Sequence, residues 1–128
     1  MIECESARAY QSMQDFRNLK VWQANRKLTV LIYRATADFP SDERFGLISQ
    51  MRRAVIRIGA CIAEGCGRRT IKDTGHFFQM SFSSATELLH HLITSLDLQY
   101  LSQDRFDELD GKLLEIRKMV TSLMKRLK

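Results

Sequence analysis

Residues 106–127 have the sequence FDELDGKLLEIRKMVTSLMKRL, in which apolar side chains recur at alternating intervals of three and four residues. The series consists of Phe106, Leu109, Leu113, Ile116, Val120, Leu123 and Leu127. This heptad pattern puts one apolar stripe on one face of an α-helix. Ser102 can cap the start of that helix, and Asp104 falls in the first turn, where the helix dipole favours an acid. The pattern predicts a long amphipathic helix over residues 103–127.

Three segments upstream carry similar stripes. One predicts a helix over residues 71–98, with Thr70 and Asp73 as a capping box. Its seam residues are Phe78, Phe82, Ala85, Leu89, Leu92 and Leu96. Two more stripes predict helices over residues 19–38 and 42–65, the first ending before Pro40.

The connections between these segments are short, and no segment shows the alternating pattern of a strand. Short connections make sequential helices antiparallel neighbours. The predicted fold is therefore all-α. We expect an antiparallel up-down-up-down four-helix bundle, a single domain over residues 16–128, following a loosely ordered N-terminal tail of residues 1–15.

The composition is that of an ordinary globular chain, with 128 residues, 45% apolar and 27% charged. The aliphatic run Val30–Ile32 is far too short to span a bilayer, so no membrane association is expected. The first residues show neither the basic nor the apolar region of an export signal. The three cysteines are an odd number, which favours a reducing compartment over a disulfide framework. A cytoplasmic location follows as an expectation.

The net charge of +5 is concentrated between residues 44 and 72, where seven basic residues stand against one acid, Glu64. Residues 1–43 are balanced, and residues 73–128 carry one excess acid. Most of the basic residues in this stretch are arginines, and a guanidinium group can donate two hydrogen bonds to one phosphate. The predicted nucleic-acid-binding residues are Arg52, Arg53, Arg57, Arg68, Arg69 and Lys72. Two alternatives stay open at this point: ion pairing between subunits, and plain solvation of a helix face.

Glu64 lies near the carboxyl end of its predicted helix, where the dipole disfavours an anion, so we expect it to form a structural ion pair. Apolar side stripes flank the core lines of two helices. They indicate either a wide core face or a subunit interface. The candidate interface residues are Trp22, Tyr33 and Phe77.

Few residue patterns suggest an enzyme. Glu87 and His90 have the spacing of a helical metal-binding motif, but the chain has no second copy of it. Arg69 and His76 have the spacing of the acid-base histidine and phosphate-binding arginine in a class of helical ribonucleases. A metal-independent ribonuclease is therefore one alternative function, and a purely structural interaction scaffold is another. We expect no cofactor, no metal and no catalysis.

Several short motifs occur together in this chain. They are Phe39-Pro40, Phe45-Gly46-Leu47, Arg52-Arg53-Ala54, Ile62-Ala63-Glu64-Gly65 and Glu87-Leu88. As a set, these motifs resemble the 23S rRNA intervening-sequence-encoded protein family. Two positions depart from the family pattern, because Cys61 replaces the usual asparagine and Ser83 replaces the usual glycine.

The resemblance implies an antiparallel four-helix bundle that assembles into a homopentamer. It also implies a relation to the accessory variability determinants of diversity-generating retroelements, similar bundles that bind nucleic acid and partner with a reverse transcriptase. Together with the basic stretch, it predicts a non-enzymatic oligomer that binds nucleic acid, with RNA or an RNA-containing complex as the expected target. A nucleic-acid-processing protein is a further expected partner.

Overall fold

The computed structural model describes residues 15–127, and it consists of four helices with no strand in that range. The helices are α1 (Lys20–Ala37), α2 (Leu47–Cys66), α3 (Ile71–Asp97) and α4 (Gln103–Arg126). Short 3-10 turns at Phe16–Asn18 and Ser41–Glu43 precede α1 and α2. The prediction of an all-α chain with four helices is confirmed. The predicted N-terminal tail lies outside the described residues except for Asp15, which caps the first 3-10 turn.

The predicted caps of α3 and α4 are in place. The side chain of Thr70 accepts a hydrogen bond from the Asp73 backbone amide, and that of Ser102 accepts one from the Arg105 amide, both at 3.1 Å. These side chains satisfy backbone donors that a helix start leaves without partners.

The predicted start of α2 at residue 42 is wrong, because the helix begins at Leu47. Residues 41–43 form a separate 3-10 turn, and Gly46 lies between that turn and the helix. A Cβ at Gly46 would lie 2.8 Å from Oε1 of Glu43, so the tight connection requires glycine or a shift of that side chain. The apolar stripe marked the body of this helix and gave no signal for the break before it.

The core lies between the four helices, each of which packs mainly against two others. Helix α1 contacts α2 and α4, and α3 contacts the same two helices, with the most extensive packing between α2 and α3. The predicted α4 stripe is buried from Leu109 to Leu127, and Phe106 is half-buried. Burial of such a stripe is the main source of stability for a helix of this kind.

The buried seam of α3 differs from the predicted one. It runs through Thr74, Phe78, Ser81, Ala85, Leu88, Leu92 and Ser95. Phe82, Leu89 and Leu96, which the apolar pattern placed on the seam, are only half-buried. The true seam has the same heptad spacing, but three of its positions hold small hydroxyl residues, which a purely apolar pattern ignores.

These hydroxyl groups are satisfied by hydrogen bonds. Thr74 donates to the carbonyl of Gly65 and Ser81 donates to the carbonyl of Ile58, both at 2.8 Å. A Cβ on Gly65 would lie 2.8 Å from Cε1 of Phe78, so the two helices approach closely there. Small residues and hydrogen bonds to α2 thus hold α3 against it.

Within residues 15–127, none of the helices is both long enough and apolar enough to cross a membrane.

Candidate nucleic-acid interface

Helix α2 buries one face in the core and presents two arginines to solvent on another. Met51, Val55 and Ile58 are fully buried. Arg53 and Arg57 lie one turn apart and are both exposed. The helical period therefore separates a buried apolar face from an exposed cationic one.

Arg53 and Arg57 line an open groove between α2 and α3, which we call the α2–α3 groove. Its volume is about 1040 Å³. The α2 side also contributes Ala60, Cys61 and Glu64, and α3 contributes His76, Phe77, Gln79, Met80, Ser83 and Glu87, among others. Cys61 and Ser83, the two departures from the family pattern, both line it. The groove offers cationic, polar and aromatic groups to one ligand.

The two groove arginines are available to a ligand. Among the residues described, no carboxylate lies within 4 Å of either guanidinium group. Burial and the Glu64 carboxylate favour the neutral thiol of Cys61, and the charge of Arg57 opposes them. Burial dominates and raises the pKa of Cys61. The thiol is therefore held neutral, and the charged groups of the groove are Arg53 and Arg57 together with the carboxylates of Glu64 and Glu87.

Arg52 makes different contacts from its neighbour Arg53. Its Nε donates to Oγ1 of Thr36 at 3.0 Å, and its Nη2 donates to the carbonyl of Tyr33 at 3.3 Å. The guanidinium carbon lies 4.5 Å from the centre of the Tyr33 ring. Arg52 thus links α2 to α1, and the structure does not bring it together with the groove arginines. Its predicted role in nucleic-acid binding stays a prediction.

The remaining predicted basic residues lie in the connection between α2 and α3 and in the first turn of α3. Arg69 and Lys72 are exposed. Arg68 lies over the ring of Phe77, with 4.4 Å between the guanidinium carbon and the ring centre. Because Phe77 also lines the groove, this connection adjoins the α2–α3 groove directly.

Glu64 has the arginine partner expected from the sequence, but the pair is weak. Nη2 of Arg68 lies 3.9 Å from Oε2 of Glu64, and the two side chains are 48% and 56% exposed. Exposed pairs of this kind contribute less than about 1 kcal/mol. The ion pair therefore lies at the surface, where it contributes little to the fold.

The three predicted interface aromatics each have an arginine of the same chain beside the ring. The guanidinium carbon of Arg26 lies 5.8 Å from the centre of the Trp22 ring. Arg52 lies over Tyr33 and Arg68 lies over Phe77, as described above. Trp22 also contacts Phe16 edge to face, with ring centres 5.0 Å apart. These contacts give each of the three rings a partner within its own chain. Their predicted role between subunits stays a prediction.

The structure places the residues of the ribonuclease pattern on different elements and those of the metal-binding pattern on one helix. Arg69 lies in the connection before α3 and His76 lies on α3, so they do not share a helix. Near Glu87 the structure places His91, with Nε2 3.8 Å from Oε1, whereas the Glu-x-x-His spacing involves His90. Residues 15–127 contain no cluster of three or more potential metal ligands.

Sequence reasoning missed the charge of α1. Lys20, Arg26, Lys27 and Arg34 give this helix four basic residues and no acid, and all four are exposed. The acids that balance them between residues 1 and 43 lie outside the helix, among them Asp38, Asp42 and Glu43 just after its end. Counting charge helix by helix would have found this surface.

The fold and the exposed arginines define the class of protein: an all-α four-helix bundle with a basic surface. Residues 17–122 match the family described as 23S rRNA-intervening sequence proteins. The chain belongs to that family.

One solved structure with a similar fold is a protein of unknown function from the S23 ribosomal protein family of Bacteroides thetaiotaomicron. It is 20% identical to this chain, the alignment covers 82% of this chain and 95% of that one, and the TM-score is 0.76. Comparison with curated proteins finds no match.

Proposed function

We propose that the protein is a non-enzymatic, oligomeric helical bundle that binds nucleic acid, with RNA or an RNA-containing complex as the target. The observation that carries the proposal is the pair Arg53 and Arg57, exposed one turn apart beside the α2–α3 groove and without a carboxylate partner among the described residues. Guanidinium groups placed in this way bind phosphate oxygens without reading the base sequence. The family's link to 23S rRNA intervening sequences is consistent with an RNA-related role.

The oligomer we propose is a homopentamer of antiparallel bundles. The hydrogen bonds from Thr74 to Gly65 and from Ser81 to Ile58 support antiparallel α2 and α3, because residue numbers rise along one helix as they fall along the other. In a ring, each copy would repeat the cationic surface and strengthen the total field. Light scattering should give about five times the chain mass of 14.9 kDa, and a monomer mass would contradict the proposal.

A retention assay tests the binding function. Purified protein is incubated with fluorescently labelled RNA of mixed sequence in buffer containing a chelator. We expect retention of intact RNA, and much weaker retention by the variant Arg53→Gln/Arg57→Gln. The matched control is Lys112→Gln/Lys118→Gln, which removes the same charge from exposed positions on α4. The control should bind like the wild type.

The other outcomes distinguish the alternatives. RNA cleavage that His76→Asn abolishes would replace the proposal with the ribonuclease. Normal RNA binding by the Arg53/Arg57 variant, together with loss of the oligomer, would assign the arginines to subunit pairing. No retention at low salt would favour a structural scaffold. The proposed protein partner, a nucleic-acid-processing enzyme such as a reverse transcriptase, can be tested by co-purification.

A further inference from the structure

Four parts of the chain meet at one end of the bundle. At the end of α2, Gly65 accepts the hydrogen bond from Thr74 near the start of α3. The 3-10 turn Phe16–Asn18, just before α1, packs against α2. Burial, followed by the Asp15 carboxylate, raises the pKa of the Cys66 thiol to about 11. Cδ1 of Leu127, just after α4, lies 3.7 Å from the Cβ position of Gly75 in α3. The start of α1 and the end of α4 therefore lie beside the α2–α3 connection.

Basic residues from all these parts are gathered at this end. They are Arg17, Lys20, Arg68, Arg69, Lys72, Lys125 and Arg126. The nearby acids are Asp15, Glu64 and Asp73. The carboxylate of Asp15 forms an ion pair with Nε of Arg17 at 3.0 Å, and the carboxylate of Glu64 lies near Arg68.

Five of the seven basic side chains keep their charge available. Lys20, Arg69, Lys72, Lys125 and Arg126 are exposed. Over residues 15–127, none of them forms an ion pair. We call these five residues the basic end.

The opposite end of the bundle has the opposite charge. The rings of Phe39 and Tyr100 lie 5.4 Å apart, which brings the α1–α2 connection next to the α3–α4 connection. The acids there are Asp38, Asp42, Glu43, Asp97, Asp104, Asp107 and Glu108, against the bases Arg34, Arg44, Arg52 and Arg105. Burial, followed by the Glu43 and Asp42 carboxylates, raises the pKa of Tyr100, as an acidic neighbourhood should.

A polyanion near this molecule is therefore attracted to one end and repelled from the other. We propose that the basic end is a second phosphate-binding surface, which holds the phosphodiester backbone of the same nucleic acid that contacts the α2–α3 groove. The inference rests on the proposed function and extends it to residues of α1 and α4. The two surfaces adjoin at Phe77, which lines the groove and lies under Arg68.

The basic end also explains why several short basic segments act together. Lys20 and the pair Lys125 and Arg126 stand more than a hundred residues apart in sequence. The fold places them at the same end of the bundle as Arg69 and Lys72, so one flexible polyanion can contact them together. Each phosphate contact releases condensed counterions, so these residues should contribute to the salt dependence of binding.

The test compares two triple variants by fluorescence anisotropy, using labelled single-stranded RNA of mixed sequence over a series of salt concentrations. The end variant is Lys20→Gln/Lys125→Gln/Arg126→Gln. The matched control is Arg34→Gln/Arg44→Gln/Lys112→Gln, which removes three exposed positive charges nearer the acidic end. Circular dichroism melts check that both variants fold like the wild type.

We expect the slope of log affinity against log salt to fall in magnitude by about 2 in the end variant, since three contacts contribute roughly 0.7 each. The control should keep the wild-type slope. An unchanged slope in the end variant, or equal losses in both, would overturn the basic end as a specific surface. If the Arg53→Gln/Arg57→Gln variant binds RNA more weakly than the wild type in that case, the proposed function stands without the basic end. Failure of the wild type to bind RNA at all would overturn both.

Discussion

The side chain of Asn25 on α1 lies directly against the backbone of Gly59 on α2. Its Nδ2 donates to the carbonyl of Val55 at 3.0 Å, and a Cβ on Gly59 would lie only 2.8 Å from that nitrogen. Asn25 is 3% exposed, and its Oδ1 is buried without a hydrogen-bond partner in the described part of the chain. The absence of a side chain at position 59 is what lets a polar group from one helix reach the backbone of the next.

This relationship predicts a sign reversal in a double-mutant cycle. Gly59→Ala alone should lower the free energy of unfolding by about 1 to 2 kcal/mol, because the new methyl group displaces Asn25 and breaks its hydrogen bond. In an Asn25→Ala background the obstruction is gone. The same change should then stabilise the protein by up to about 1 kcal/mol through helix propensity. Urea unfolding of the four proteins measures both values.

Gly111→Ala is the control, since nothing lies within 4 Å of a Cβ there. It should stabilise α4 by about 0.5 to 1 kcal/mol in either background. Equal effects of Gly59→Ala with and without Asn25 would contradict the close contact.

Arg52 should affect stability more than binding. Arg52→Lys removes the fork that reaches both Thr36 and the Tyr33 carbonyl, so we expect a loss of about 1 to 2 kcal/mol in unfolding free energy. Arg53→Lys, at the exposed neighbouring position, should leave thermal unfolding unchanged. A large loss of RNA affinity in an Arg52→Lys variant that folds normally would instead show that Arg52 takes part in RNA binding.

Glu64 should be dispensable for the fold. Because its pair with Arg68 is long and exposed, Glu64→Gln should change the unfolding free energy by less than about 1 kcal/mol. The same variant removes a negative charge from the wall of the α2–α3 groove, so RNA should bind more tightly. Weaker binding, with unchanged melting and oligomeric state, would show that the carboxylate itself contacts the ligand.

His91 predicts a loss of stability in mild acid. Its side chain is 16% exposed, and burial lowers its pKa from the usual 6.5, although the Glu87 carboxylate opposes the shift. The unfolded chain then takes up a proton more readily than the folded one, so stability is full above about pH 6.5 and falls as the pH drops below it. His91→Gln should make the melting temperature less dependent on pH below about pH 6.5. His76→Gln, at an exposed position fifteen residues earlier in the chain, serves as the control and should retain the wild-type slope.

The four helices could be predicted because apolar spacing and caps act locally. The α4 stripe and the caps Thr70 and Ser102 needed no knowledge of neighbouring helices. The seam of α3 could not be predicted in the same way. Thr74, Ser81 and Ser95 can be buried because α2 or their own helix supplies acceptors for their hydroxyl groups. A pattern of apolar residues gives no information about these hydrogen bonds.

The candidate site was predictable in part for a related reason. The helical period separates Arg53 and Arg57 from the core, so their exposure follows from the sequence. Arg52 lies only one residue away, but its partners Thr36 and Tyr33 belong to another helix. The basic end was hidden as well, since Lys20, Lys72 and Lys125 come together only through the packing of the bundle. A count of net charge over a stretch of sequence averages these basic residues with the acids beside them in the chain.

The salt dependence of RNA binding by the wild type and by Arg53→Gln/Arg57→Gln tests the central claim most directly. Phosphate binding by the groove arginines predicts a steep loss of affinity with salt, nearly equal for two labelled RNAs of unrelated sequence. The variant, folded and assembled like the wild type, should lose roughly 1.4 from the log-log slope, or about 0.7 for each missing contact. A salt-independent affinity, or an unchanged slope in the variant, would contradict a phosphate-binding role for this surface.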